Sequence, residues 1–351
     1  MNWVWLLLLV LPTAALQNDF DGDGLSDDTE LRLAQQFAPI IHFHPLEVFY
    51  PSAVEPYIAE TELYFQRHYS APFCKFEVPE RMSLPVLTVS EGVEEEVCMD
   101  GNRPSLRGNK ENKESATECS WLTLKCDLFN TTAFNIVECS SVEARVDQFF
   151  FLHAGRAVKN HFNSSAPVYV HVHSADMFGE KSIVLQYWFF YSFNGPLDDM
   201  LAAGAHEGDW EHVTVVIDDA TRQHVRAVYM AAHSHEASWL FPANVKLDGT
   251  HVHAYVALHS HAMYETAGVK KRLSDNLLYS FLHDHCADDG YMWKPDVFVN
   301  MGEKECPLVS WGFYNGFWGS KKLIYSFVPL PFDTASPPRG PMHQVDYWFV
   351  N

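Results

Sequence analysis

Positive charge is scarce in this chain. Lysine and arginine total 24 against 45 aspartates and glutamates, a formal net charge of −21 over 351 residues. A nucleic-acid binder needs a basic footprint to displace counterions from phosphates, so that class of partner is excluded. The same balance opposes simple adsorption to anionic lipid and favours cations. Long apolar runs are lacking too. Trp3-Val-Trp-Leu-Leu-Leu-Leu-Val-Leu11 is too short to span a bilayer, and Pro12-Thr-Ala-Ala15 behind it offers small residues for cleavage. Residues 1–15 are therefore expected to be a signal peptide, although no Lys or Arg precedes the run. No transmembrane anchor is expected elsewhere, and the ending Asp346–Asn351 carries no retention or lipid-anchor signal. Helical periods are few, and no Gly-x-Ser-x-Gly elbow occurs, so a serine hydrolase has no support.

What is present agrees with entry into the secretory pathway. Asn130-Thr-Thr132 and Asn163-Ser-Ser165 are glycosylation sequons. Seven cysteines, at 74, 98, 119, 126, 139, 286 and 306, predict disulfides, with an odd one left over and Cys286–Cys306 as a bridge available to the C-terminal part. The expected location is extracellular, or the lumen of a vacuole or lysosome.

Histidine is abundant, at 19 residues. Six pairs are spaced i, i+2: His42/His44, His171/His173, His233/His235, His251/His253, His259/His261 and His283/His285. Random placement would give roughly one such pair. On a strand, i and i+2 point the same way, so each pair is a possible two-toothed metal arm. In Pro167–His173, Val168, Val170 and Val172 oppose Tyr169, His171 and His173; His251 to His261 is expected to share one parity likewise. Which pairs converge is left open by the sequence.

The most informative stretch is His206-Glu-Gly-Asp-Trp-Glu-His212, opening the apparent strand Val213–Ile217. Asp209 and Glu211 should share a face, opposite Trp210 and His212. Close carboxylates repel unless a cation or proton lies between them. The candidate metal ligands are His206, Asp209 and Glu211, joined by His259 and His261. The cation's identity is open: carboxylate-led coordination suits calcium, magnesium or manganese, and histidine-led coordination suits zinc.

A second candidate lies at Asp19-Phe-Asp-Gly-Asp-Gly-Leu-Ser-Asp-Asp-Thr-Glu30, which fits a twelve-residue calcium loop. Asp19, Asp21, Asp23, Asp27 and Glu30 supply side-chain oxygens at positions 1, 3, 5, 9 and 12, Leu25 supplies a carbonyl, and Gly24 stands at position 6. An affinity of about 10⁻⁴–10⁻³ M is expected, as in extracellular modules. A helix should follow from Asp27 to Ala38, with Leu31, Ala34 and Phe37 on one face.

From residue 166 onward strands dominate, at 167–173, 183–191, 211–217, 225–231, 251–259 and 322–328, with Lys271–Leu282 readable as a short helix. Ile183–Tyr191 is apolar on both parities and should be a central strand. The expected fold is mainly β, an antiparallel β-sandwich with peripheral short helices. It occupies residues 39–351, after the calcium loop and helix at 19–38, and carries a cysteine-rich, acidic, disulfide-stapled insertion at about 74–147.

Five ordered blocks resemble the vacuolar-protein-sorting-associated family numbered sixty-two: Ala38–Glu47, Pro51–Val54, Gln186–Gly195, Gly208–Thr214 and Leu258–Ala262. The resemblance covers 37–72 and 166–345 and implies a mainly β fold with a link to vacuolar trafficking. More distantly, Ala205–Glu211 is similar to the Gly-His-Arg-His-Asp-Trp-Glu motif of the necrosis-inducing (NLP) cytolysins. That similarity implies a divalent cation held by His206, Asp209 and Glu211 beside a site for sphingolipid sugar headgroups. Here Glu207 replaces the motif's arginine and Gly208 its second histidine.

Three functions compete. The first is a metal-dependent module for a polar lipid or glycan headgroup, with Trp311, Phe313, Tyr314 and Trp318 in a Gly-broken loop available to stack on sugar. The second is a metal-dependent hydrolase using Glu207 and His212 as acid–base groups; against it, Trp210 and Ala287 stand where zinc-hydrolase signatures need a ligand. The third is a trafficking adaptor whose histidines sense acid.

Overall fold

The computed structural model describes residues 19–66, 80–81, 97–100, 103–106, 136–138, 149–154, 162–196, 205–219, 223–232, 239–271, 283–304, 306–314, 316–319 and 337–344. The expected signal peptide, Asn130, the His233/His235 pair, the strand at 322–328 and most of the insertion fall outside them.

Along the chain run α1 (Asp27–Gln36), β1 (Ile40–His42), α2 (Val54–Glu60), β2 (Glu62–Gln66), β3 (Glu80–Arg81), β4 (Val97–Asp100), β5 (Arg103–Leu106), β6 (Ile136–Glu138) and β7 (Phe149–His153). Then come β8 (Val168–Met177), β9 (Glu180–Asn194), β10 (His206–Ile217), β11 (Val225–Met230), β12 (Trp239–Leu240), β13 (Leu247–Asp248) and β14 (His251–Val256). The last are β15 (Met263–Tyr264), β16 (Gly268–Lys271), β17 (His283–Cys286), β18 (Met292–Trp293), β19 (Phe298–Asn300), β20 (Gly302–Glu303) and β21 (Cys306–Pro307).

Six strands form the main sheet in the order β12-β11-β10-β9-β8-β19, and a second sheet runs β13-β14-β1-β18 with β15 on β14. Between them lies the larger core. It takes Val168, Val170 and Val172 from β8, Leu185, Tyr187 and Phe189 from β9, and Val213 and Val215 from β10. Ile41, Ala254 and Trp293 of the second sheet meet them. The opposite face of the main sheet is also covered. Tyr169, Trp188, Phe190 and Trp210 pack there against Val54 and Tyr57 of α2, Leu152 of β7, and Trp311 and Trp318. β9 is thus buried on both parities, as its sequence predicts.

The fold is mainly β but not purely antiparallel: among the described strands β1 pairs β14, β19 pairs β8 and β4 pairs β6 in parallel. Each partner arrives from a distant segment, so no hairpin constrains its direction. The strand expected over 251–259 stops at Val256, and His259 and His261 lie beyond it at φ +65° and +60°. Their parity with His251 and His253 is lost there. Of the helix expected over Lys271–Leu282, only Lys271 is described, and it ends β16; the rest lies outside the described residues. Cys286 is a free, buried thiol whose Sγ donates to the Tyr255 carbonyl, so it does not bridge to Cys306.

α1 starts where expected, capped by Ser26, whose hydroxyl accepts from the Thr29 amide. It buries Leu33 and Ala34 in the main core beside its C-cap residue Phe37, with Leu31 partly buried next to them.

Candidate functional site

β10 delivers the predicted residues to the end of the main core. Its odd positions Val213, Val215 and Ile217 face the second sheet, and Trp210 faces the outer core. Asp209 therefore looks across at the second sheet. There His261 Nδ1 donates to Asp209 Oδ2 at 2.9 Å, and His206 Nε2 lies 3.9 Å from Asp209 Oδ1. The His261 ring stacks flat on Tyr191, with centroids 3.8 Å apart and planes 6° apart. Asp209, His261 and Tyr191 are 4%, 0% and 0% exposed, so this cluster is dry.

Among the described residues, two atoms in the cluster lack a hydrogen-bond partner: His261 Nε2 and the Tyr191 hydroxyl. Burial, then the carboxylates of Glu47, Glu211 and Asp209, hold the Tyr191 phenol well above its ordinary pKa, so it stays protonated. Burial pulls the His206 pKa down, and the Asp209 carboxylate opposes that shift. Buried polar atoms are normally paired, and each orphan costs about 1–3 kcal/mol.

The second sheet's contribution comes from a braced turn. Ser260 donates to Asp284 Oδ1 at 2.8 Å and Tyr264 to Asp284 Oδ2 at 2.7 Å, tying 258–264 to β17. His259 donates its backbone N–H to Glu47 Oε2 at 2.7 Å, while Glu47 Oε1 accepts from the amides of Val48 and Phe49. His259 Nδ1 itself sits 3.1 Å from the Pro196 carbonyl, so its ring is engaged outside the Asp209 cluster. Glu47 is thus a site residue that sequence reasoning missed, although it lies in one of the recognised blocks. Its neighbours Leu46 and Val48 are exposed, at 67% and 40%.

Other expected residues are placed elsewhere. Glu207 bonds His153 Nδ1 at 2.8 Å and the Ala154 amide at 3.2 Å, on the β7 side. Gly208, at φ +55°, separates it from Asp209 and interrupts the alternation that would have aligned the two carboxylates. His212 is buried against Trp188, with ring centroids 4.2 Å apart, on the face opposite Asp209. Trp311, Tyr314 and Trp318 are 2%, 5% and 0% exposed and fill the outer core, which corrects their assignment as a sugar-stacking surface: their rings are already covered by protein. The side chain of Phe313 lies outside the described residues.

The loop at 19–30 takes the shape its sequence predicts. Gly22 and Gly24 adopt φ +78° and +95°, and Asp19 accepts from the amides of both. Ligand atoms of Asp19, Asp21 and Asp23, and of Asp21, Asp27 and Glu30, lie within 4.8 Å of one another. Asp21 Oδ1, Asp23 Oδ2 and Glu30 Oε1 are buried without partners among the described residues. Burial first, then mutual repulsion, pushes Asp21 up to about 7 and Glu30 up to about 9. This is an oxygen-lined pocket that a hard divalent cation fits. Asn163 is exposed, as a glycan acceptor must be.

His42 and His253 form a buried pair, with Nε2 and Nδ1 2.7 Å apart. Burial, then His253, lowers the His42 pKa from 6.5 to about 4. The folded chain therefore binds fewer protons at this group than the unfolded chain between those values, and its contribution to stability is lost as pH falls through that window. Proton resonances of His42 are expected to titrate near 4; a midpoint near 6.5 would contradict the burial argument.

Two stacked sheets, with an outer layer over the larger one and an acid–imidazole cluster at one end, define a mainly β scaffold. The model of the family described as "Vacuolar protein sorting-associated protein 62" matches residues 152–297. That span carries His206, Asp209, Glu211, His259 and His261, so the resemblance seen in the sequence holds for the segment that contains them, while Glu47 lies outside it. No curated protein matches the chain. Among solved structures it is similar to NLPPya in complex with mannosamine, at 14% identity over 78% of this chain and 74% of that one, with a TM-score of 0.33. It is similar also to the non-toxic HaNLP3 protein, at 12% identity over 78% and 74% and a TM-score of 0.29. A third is Necrosis and Ethylene inducing Protein 2 from the causal agent of cocoa's Witches Broom disease, at 19% identity over 42% and 56% and a TM-score of 0.24. No helix among the described residues is long and apolar enough to cross a membrane.

Proposed function

We propose that this is a cation-dependent binding protein of the secretory or vacuolar route, whose Asp209 cluster takes a divalent cation and, through it, the polar headgroup of a lipid or glycan. The observation that carries the reading is the pair of orphaned atoms, His261 Nε2 and the Tyr191 hydroxyl, buried beside Asp209. With Nδ1–H given to Asp209, the His261 Nε2 lone pair is left for a ligand, the carboxylate–histidine–metal arrangement. Glu47 and Glu211 add negative charge around the same phenol. Exposed Leu46 and Val48 flank Glu47 and give the site an apolar rim suited to a lipid. The 19–30 loop holds calcium in this reading. A hydrolase draws no support from Glu207 and His212, which are packed away from the cluster.

Calorimetry with calcium, manganese and zinc tests this. The wild-type chain is expected to bind one cation at the Asp209 cluster, lost in Asp209→Ala and in Glu211→Ala, and a separate calcium lost in Glu30→Gln. Unchanged stoichiometry in both of the first two variants overturns the cluster as a cation site. Vesicles carrying a glycosylated sphingolipid should then retain the protein with metal and release it with chelator. Plain phosphatidylcholine vesicles should not retain it.

A further inference from the structure

A different face of the main sheet carries a second set of metal-competent side chains. His171 and His173 project from β8 on the outer face, opposite the Val170 and Val172 side chains of the main core. Their rings stack with centroids 4.4 Å apart. Glu303, on β20, brings Oε1 to 2.8 Å from His171 Nε2. One ligand atom from each of His171, His173 and Glu303 lies within 4.8 Å of the other two. The histidines are 1% and 7% exposed.

The hydrogen bonds fix where the protons are. The Trp188 indole N–H lies 3.3 Å from Gln186 Oε1, and an indole nitrogen only donates, so that atom is the amide oxygen. The same oxygen is 3.2 Å from His171 Nδ1, so Nδ1 carries the hydrogen. A neutral His171 therefore turns the Nε2 lone pair toward the Glu303 carboxylate. Two lone pairs at that distance repel unless a proton or a metal ion stands between them. His173 adds an independent sign, because neither of its ring nitrogens has a hydrogen-bond partner among the described residues although the residue is buried.

We propose that His171, His173 and Glu303 form a transition-metal site of the zinc class, distinct from both the Asp209 cluster and the 19–30 loop. Two imidazole nitrogens and one carboxylate oxygen favour zinc over calcium or magnesium. Gln186 supplies the outer bond that orients His171, as such partners commonly do. Zinc bonds of 2.0–2.2 Å put tetrahedral ligands about 3.3 Å apart, so small side-chain adjustments close the set. Three protein ligands leave a fourth position for water or an incoming donor. Asp21 and Asp23 feel the Glu303 carboxylate, so the acidic loop raises the local cation concentration at this edge.

Zinc titration of the full chain in saturating calcium, which keeps the acidic loop filled, tests the site. A zinc equivalent is expected that weakens on the order of 100-fold in His173→Gln and in Glu303→Gln. Cobalt in its place should show the visible absorption of a tetrahedral ion. Equal affinity in both variants overturns the proposal, as does a zinc equivalent lost in Asp21→Asn but kept in His173→Gln. If those variants fail to fold, X-ray absorption of the zinc-loaded wild-type chain decides. Zinc bound to His171 and His173 is expected to show imidazole scattering; a zinc shell without imidazole overturns the site.

Discussion

Gly208→Ala is expected to lower the thermal midpoint by roughly 5 °C, corresponding to about 4 kcal/mol for a chain of this size. A Cβ built at Gly208 would stand 2.2 Å from the Trp318 carbonyl oxygen and 2.8 Å from the Trp318 Cβ, at a φ of +55° that alanine resists. Neither side can yield cheaply. The Trp318 carbonyl accepts from the Tyr57 hydroxyl and its amide donates to the Pro338 carbonyl. The contact is reciprocal, for a Cβ at Gly319 would meet the Glu207 carbonyl at 2.2 Å. Two backbones touch here, and only glycine on each lets them. Scanning fluorimetry checks the prediction; a shift below about 2 °C would mean the segments are not in contact.

Trp318→Ala should cost about 3–5 kcal/mol, the range for emptying a buried aromatic position. Its ring is 0% exposed and meets those of Tyr57, Phe190, Trp210, Trp311 and Tyr314. Trp318→Phe, which keeps a ring, should lose less. Chemical denaturation measures both. If Trp318 instead served a ligand at the surface, alanine would leave stability intact and reduce only headgroup binding, the reverse of what is expected.

These residues show what a linear chain can and cannot disclose. The 19–30 loop is legible because its oxygens come from one contiguous turn whose glycines sit at fixed offsets, and the structure returns that shape. β8 and β9 are legible because apolar parity is a local property. The Asp209 cluster is half legible. Asp209 stands out in its motif, but Glu47 reaches the site through a turn that no periodicity marks, and the strand expected over 251–259 ends at Val256, three residues before His259. The pair His171/His173 could be seen as an arm, whereas Glu303, more than a hundred positions away, could not. The aromatic loop at 311–318 misled for a simpler reason: a ring in a Gly-broken turn reads the same whether it points at solvent or into a second core.

One last property follows from how the main sheet ends. Among its described strands, one border, β12, has two residues and the other, β19, has three, with α1 packed beside β19. A ladder needs a run of free amides and carbonyls to recruit a foreign strand, and neither border strand is long enough to offer one by itself. The two border strands are therefore poor templates for edge-to-edge self-association.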